Sequence, residues 1–127
     1  MAIEEKRLYP RLTLKVEDGY FVHFLCPDQA SLAAPIVNLS AGGINLVVPE
    51  ATRGPIQEGD ALILKQIAGG RSLSFLADIR AEIRWIRPLD GGRHLSVGCK
   101  FMDLAEPVRQ QLSQFVHSER MSRGQYD

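Results

Sequence analysis

The amino-acid sequence predicts a mainly β protein in which six or seven short strands form an antiparallel barrel or sandwich and one α-helix follows. Three observations support this fold class: apolar and polar residues alternate in short segments, tight-turn signals separate these segments, and helical spacing of apolar residues is clear only near the C-terminus. We favour the barrel, because closing a sheet removes its exposed strand edges. A length of 127 residues is typical of one domain.

The N-terminal part divides into an arm and a first pair of strands. Residues 1–10 are polar and end at Pro10, which favours extended geometry in the residue before it, so we expect a flexible arm. The segment "LTLKV" at 12–16 alternates apolar and polar residues, and "YFVHFL" at 20–25 has strand composition. Because "DG" at 18–19 lies between them, the prediction is a β-hairpin.

The middle of the chain continues the strand pattern. "IVNLS" and "INLVVP" are separated by "AGG" at 41–43, which is expected to break the strand. A further strand begins near Ala61, and "GGR" at 69–71 predicts a hairpin into a long return strand over 72–88. One face of the second half of that strand is expected to point into the core, and it carries Ile79, Ala81, Ile83 and Trp85.

A turn signal and a change of periodicity mark the C-terminal part. "DGGR" at 90–93 predicts a turn into the last strand, "HLSVGCKFM". From Asp103 onward apolar residues recur at helical spacing, and Asp103 with Glu106 has the pattern of a capping box. We therefore predict a barrel with its helix over 11–120 and a frayed tail over 121–127.

Composition and charge narrow the class of function. The chain has 15 basic and 15 acidic residues, whereas proteins that bind nucleic-acid polymers or anionic membranes usually carry a large basic excess. No apolar run is as long as a membrane span, and the N-terminus lacks an apolar signal-peptide core. We expect a cytoplasmic protein with no nucleic-acid polymer or membrane as partner, and buried thiols rather than a disulfide at Cys26 and Cys99.

Patterns typical of catalysis or metal binding do not occur in the sequence. The three histidines, His23, His94 and His117, have no ligand spacing relative to one another or to the cysteines. No phosphate loop of the G-x-x-x-x-G-K type is present, and no pair of acids stands out. We expect a binding protein and not an enzyme, with neither metal nor cofactor.

The stretch "KRLYPR" concentrates three cations and one aromatic residue near the N-terminus. Arg7 and Arg11 form an R-x-x-x-R pattern beside Lys6, but the spacing alone is weak because "RAEIR" at 80–84 repeats it within an alternating strand. One interpretation is a frayed basic arm. The other is a phosphate clamp, since the arginine fork matches phosphate oxygens and the O6/N7 edge of guanine.

A second candidate segment is "NLSAGG". Asn38 offers a donor and an acceptor to a base edge, and Ser40 offers a hydroxyl group. Gly42 and Gly43 permit positive φ and a close approach of ligand to backbone. Taken by itself, the segment fits an ordinary β-turn with Asx or Ser hydrogen bonds better than a binding site.

Together, R-x-x-x-R before the first strand and N-x-S-x-x-G downstream of it resemble the PilZ domain family of bacterial cyclic di-GMP receptors. The resemblance covers nearly the whole chain and implies a small six-stranded antiparallel β-barrel with a C-terminal α-helix. In that family the arginines grip phosphate and guanine, and the downstream turn holds the other side of the nucleotide. The residues thus expected to hold cyclic di-GMP are Lys6, Arg7, Arg11, Asn38, Ser40, Gly42 and Gly43. Lys6 stands where many members have a further arginine, so one or two bound nucleotides remain possible.

These observations predict a ligand-operated switch. Cyclic di-GMP bridges the arm and the turn at 38–43, the arm becomes ordered, and the altered surface signals to a protein partner as a monomer or homodimer. The resemblance implies motility, exopolysaccharide production or virulence as the output. Two alternatives are a small barrel that binds single-stranded nucleic acid, which needs a basic groove with exposed aromatic residues, and a PilZ-like protein-interaction module without nucleotide binding.

Overall fold

Seven β-strands and one α-helix form the fold in the computed structural model, which describes residues 9–52, 54, 56–69 and 73–126. The elements are β1 (Leu12–Thr13), β2 (Phe21–Leu25), β3 (Ser31–Leu39), β4 (Gly43–Pro49), β5 (Ala61–Ala68), β6 (Ile79–Leu89), β7 (His94–Phe101) and α1 (Glu106–Ser122).

Strands β2 to β7 close into a barrel. Their order is β3-β2-β5-β6-β7-β4, every pair is antiparallel, and β4 pairs back onto β3. The short strand β1 adds to β3 outside this ring. The predicted six-stranded antiparallel barrel with a C-terminal helix is therefore confirmed, and the barrel is the correct choice over the sandwich.

Alternation along the strands fills the barrel interior. In β2 the inward side chains Val22 and Phe24 are buried while Phe21 faces outward, as expected for a strand with one face in the core. Helix α1 covers part of the barrel with Leu112 and Val116, which are buried. Its Phe115 ring meets the ring of Tyr20 edge-on, with 6.5 Å between the centroids.

Both cysteines are free and buried, as predicted. Burial raises the pKa of the Cys99 thiol to about 12 and also raises the pKa of Cys26. The thiolate is the reactive form of cysteine, so Cys99 is a packing residue at neutral pH. No helix in the described part of the chain has the length and apolar character needed to cross a membrane.

The hairpin predicted at 12–25 is wrong. Strand β1 ends at Thr13 and pairs with β3, and Val16–Asp18 form a 3₁₀ turn instead of continuing the strand. Gly19 ends that turn with φ of 80°, which a residue without Cβ adopts at no steric cost. The dipeptide "DG" therefore ends a 3₁₀ turn and does not join two paired strands.

The return strand predicted over 72–88 begins late and contains a bulge. Strand β6 starts at Ile79, and the buried Leu73 and Leu76 close a turn in which the Leu76 N–H donates to the Leu73 carbonyl oxygen at 3.0 Å. Ile83 pairs with Cys99 but Trp85 pairs with Gly98, so Arg84 is an extra residue in β6. The bulge turns Trp85 to the outer face, and the prediction that it joins Ile83 in the core is wrong.

Both ends of α1 differ from the sequence prediction. Ala105 occupies the N-cap position without a side-chain hydrogen bond, Pro107 lies in the first turn, and Asp103 instead forms an ion pair with Arg80 at 3.7 Å. The capping-box prediction is therefore wrong. At the other end, the helix continues to Ser122 and residues beyond it make specific hydrogen bonds, which a frayed tail would lack.

Candidate functional site: a cationic groove on the barrel surface

The turn between β3 and β4 is held by its own hydrogen bonds. Leu39 pairs with Ile44, and the Ser40 N–H donates to the Gly43 carbonyl oxygen at 3.0 Å. The Gly42 N–H donates to Ser40 Oγ at 3.1 Å. Because this bond uses Oγ as the acceptor, the hydroxyl hydrogen of Ser40 can still be donated to a ligand.

Close packing, and not backbone conformation, distinguishes the two glycines of this turn. Neither Gly42 nor Gly43 has a positive φ, so the turn does not use the conformational freedom that these glycines permit. A Cβ atom on Gly43 would lie 2.2 Å from the carbonyl oxygen of Cys99, and one on Gly42 would lie 2.9 Å from Cδ2 of Tyr9. The turn thus lies directly on β7 on one side and under the Tyr9 ring on the other.

Asn38 lies where three strands meet. It pairs with Thr13 of β1 on one side and with Asn45 of β4 on the other, after a register shift that follows Ile36. The Asn45 Oδ1 accepts a hydrogen bond from the Ser96 hydroxyl at 3.1 Å. Asn38 is therefore close in sequence to the turn at 40–43 and, through its ladder partner Thr13, close in space to the residues that precede β1.

A groove of about 320 Å³ collects these residues on the outer surface of the barrel. It lies between the β3–β4 turn, the bulged part of β6, the middle of β7 and the residues that precede β1. Five of the predicted binding residues line it: Arg11, Asn38, Ser40, Gly42 and Gly43. The other two, Lys6 and Arg7, lie outside the described residues.

Trp85 lines the groove although its alternation in the sequence predicted a core position. Its ring packs directly on Gly98 of β7. A Cβ atom on Gly98 would lie only 2.2 Å from Cε2 of the indole, so the contact requires glycine there. The Arg87 guanidinium carbon lies 4.6 Å from the centre of the same ring, which is a cation–π contact. The sequence signal for this arrangement is a glycine within the strand "VGCKF", since such a glycine often marks a close approach.

Three cationic side chains line the groove: Arg11, Arg84 and Lys100. Arg84 is partly neutralised, since its Nη1 lies 3.1 Å from Glu82 Oε1. Among the described lining residues there is no carboxylate, and no cluster of metal-ligating side chains occurs anywhere in the described ranges. Cations, an indole ring, an amide and a hydroxyl together suit a ligand that combines phosphate with a planar ring.

The fold and the groove define the class of protein: a small antiparallel β-barrel with a cationic surface groove beside the first strand. A sequence model of the PilZ domain matches residues 5–118, and the chain belongs to the PilZ domain family.

Individual relatives agree with this assignment. The chain is 27% identical over 114 residues to flagellar brake protein YcgR 2 of Paraburkholderia phytofirmans, with 88% of this chain and 44% of that protein covered. This chain therefore spans less than half the length of that relative. Among solved structures it resembles the PilZ domain with c-di-GMP of YcgR from Escherichia coli, with a TM-score of 0.76, 22% identity and coverage of 95% and 97% of the two chains.

A second structural neighbour is the inhibitor of motility MotI/DgrA of Bacillus subtilis, with a TM-score of 0.69 and 20% identity over 94% of this chain and 53% of that one. At these identities the structural likeness concerns the fold.

Proposed function

We propose that this chain is a receptor domain for cyclic di-GMP and not a catalyst. The observation that carries the proposal is that Arg11, Asn38 and Ser40, which are separated in sequence, line one groove together with Trp85. The groove is cationic and has an aromatic wall, as a ligand with two phosphates and two guanine bases requires. The structure of the E. coli YcgR PilZ domain was solved with c-di-GMP, which supports this ligand.

Each side of the groove has a role in this proposal. Arg11, together with Arg7, binds phosphate and the guanine edge by bidentate hydrogen bonds. Asn38 and Ser40 bind base or phosphate from the other side. Trp85 lies on the third side and stacks on a base, and Lys100 adds positive charge next to it.

The response to the ligand is a switch in this proposal. Binding reorders the N-terminal arm, of which Tyr9 already packs against the core, and the surface so formed is recognised by a protein partner in the cytoplasm. The similarity to a flagellar brake protein makes motility the first output to examine. A catalytic role is not proposed.

Calorimetric titration with cyclic di-GMP tests the proposal. We expect Arg11→Ala and Arg7→Ala each to weaken binding about ten- to hundredfold, because a hydrogen bond to a charged group contributes about 1.5–3 kcal/mol. The matched control is Arg80→Ala. It removes the first arginine of the other R-x-x-x-R stretch. The Arg80 side chain is 67% exposed and does not line the groove.

The same titration gives the number of nucleotides per chain, which decides between one ligand and a pair. Unchanged affinity in both arginine variants would remove the clamp from the proposal. Strongly salt-dependent binding of oligonucleotides without any response to cyclic di-GMP would favour a single-stranded nucleic-acid site instead.

A further inference from the structure

The C-terminal end of α1 is fixed by a Schellman motif. Gly124 has φ of 73°, the Gln125 N–H donates to the Arg120 carbonyl oxygen at 2.8 Å, and the Gly124 N–H donates to that of Met121 at 3.2 Å. These two bonds are the pair that defines the motif, with glycine in its left-handed position. They reverse the chain at the helix end and set the direction of the Gln125 side chain.

Gln125 uses its side-chain amide to bind the backbone of β1. The Thr13 N–H donates to Gln125 Oε1 at 2.9 Å, and Gln125 Nε2 donates to the Thr13 carbonyl oxygen at 3.1 Å. Strand β1 lies at the end of the sheet order. The Gln125 amide pairs with its backbone as a neighbouring strand would. The two residues are 112 positions apart, so the contact joins the two ends of the described chain.

Thr13 lies between the two halves of the candidate site. It follows Arg11 by two residues, and its partner across the β1–β3 ladder is Asn38. Both Arg11 and Asn38 line the groove. The position of the Thr13 backbone therefore affects where the Arg11 side chain begins and how closely β1 lies against Asn38.

A second contact holds the same region. Arg123 Nη1 lies 3.1 Å from Asp18 Oδ2, and Arg123 Nε lies 3.2 Å from Glu119 Oε1. The Asp18 carboxylate also accepts the Lys15 N–H at 2.8 Å. The C-terminal segment is therefore attached to the chain at Thr13 and again at Asp18.

We propose that Gln125 is a positioning residue for nucleotide binding: by holding the Thr13 backbone in register with Asn38, it fixes the position of Arg11, two residues earlier, before the ligand arrives. This inference rests on the proposed function. Gln125 lies in neither of the two sequence motifs, so the inference adds a residue that the motifs do not identify. When the backbone around Thr13 is already held in place, less conformational entropy is lost on binding. Loss of the Gln125 contact therefore weakens affinity without removing any group that touches the ligand.

The test compares Gln125→Ala with Gln111→Ala, which removes an exposed glutamine in the middle of α1. Cyclic di-GMP affinity is measured at a temperature at which circular dichroism shows every variant to be fully folded. We expect Gln125→Ala to weaken binding about three- to tenfold, as the loss of one or two neutral hydrogen bonds would. Gln111→Ala is expected to bind as the parent does. Amide exchange at Thr13 in the ligand-free protein should accelerate in the first variant only.

A second pair of variants tests the Schellman motif without changing Gln125. Gly124→Asn keeps a residue that tolerates left-handed φ and is expected to retain affinity, whereas Gly124→Val, which is strained there, is expected to behave as Gln125→Ala does. A purely structural role would lower the melting temperature and leave the affinity of the folded protein unchanged; that result overturns the inference. Failure of the parent protein to bind would instead overturn the proposed function, and the two failures are thereby distinguished.

Discussion

The floor and the rim of the groove are built in different ways. The floor consists of the β3–β4 turn and the adjoining parts of β6 and β7, where backbone packs on backbone: Gly43 lies against Cys99, and the Phe101 N–H donates to the Gly42 carbonyl oxygen at 3.0 Å. The rim consists of residues 9–13, which a two-residue strand, the Tyr9 ring and the Gln125 amide hold in place.

This difference separates stability from affinity. A change in the floor must move strands of the closed barrel, because interiors are closely packed and cannot absorb extra atoms without shifts. A change in the rim displaces side chains that are attached by a few hydrogen bonds. We therefore expect floor variants to lose folding stability and rim variants to lose ligand affinity.

The largest effect on stability is expected at two neighbouring glycines. Gly43 contacts the floor, and Gly42 contacts the rim. Gly43→Ala places a methyl group against the Cys99 carbonyl oxygen and should lower the free energy of unfolding by about 2–3 kcal/mol, since the neighbour is backbone. Gly42→Ala meets the Tyr9 ring, which can swing aside, and should cost less than about 1 kcal/mol. Urea denaturation of both variants measures the difference. Equal losses would show that the floor and the rim are equally rigid.

A smaller effect is expected for Trp85, which belongs to the floor and lines the groove. Trp85→Ala should weaken cyclic di-GMP binding about fivefold or more, because stacking of a base on an aromatic ring contributes roughly 1–3 kcal/mol. Gly98→Ala displaces the same indole from β7 and should act in the same direction. Calorimetric titration with cyclic di-GMP measures both constants, because Trp85 is the single tryptophan of the chain and its fluorescence is lost in Trp85→Ala. Parent-like affinity in Trp85→Ala would leave the floor without a stacking role.

Much of the floor could be predicted from the sequence, and the exceptions have physical reasons. The strand break at 41–43 is visible because glycines interrupt an alternating pattern, and the structure ends β3 and begins β4 there. The outward position of Trp85 is not visible, because one extra residue in β6 reverses the faces without any change in composition. Similarly, "DG" at 18–19 carries a hairpin signal, but pairing of β1 with β3 is a long-range contact that local turn chemistry does not report.

The rim was harder to predict. The R-x-x-x-R motif identifies Arg11, yet the contact that holds the adjacent backbone comes from Gln125, 112 residues from Thr13. A glutamine after a glycine at the end of a helix has no distinctive pattern of its own. Its role depends on where the barrel places β1 relative to the end of α1, which only the tertiary structure shows.

The smallest expected effect concerns the second attachment of the rim, the contact between Asp18 and Arg123. The Lys15 N–H, together with the Arg123 guanidinium, holds the pKa of the Asp18 carboxyl below its usual value near 3.8. A carboxyl with a depressed pKa in the folded state stabilises the fold above its unfolded pKa and loses that contribution as pH falls through the folded value. The melting temperature of the parent should therefore exceed that of Asp18→Asn by a constant margin from about pH 5 to 7, and the margin should shrink below about pH 4. A margin that stays constant down to pH 2 would show that the Asp18 charge contributes nothing, and the attachment of the rim would then depend on Gln125 and the packing of Tyr9.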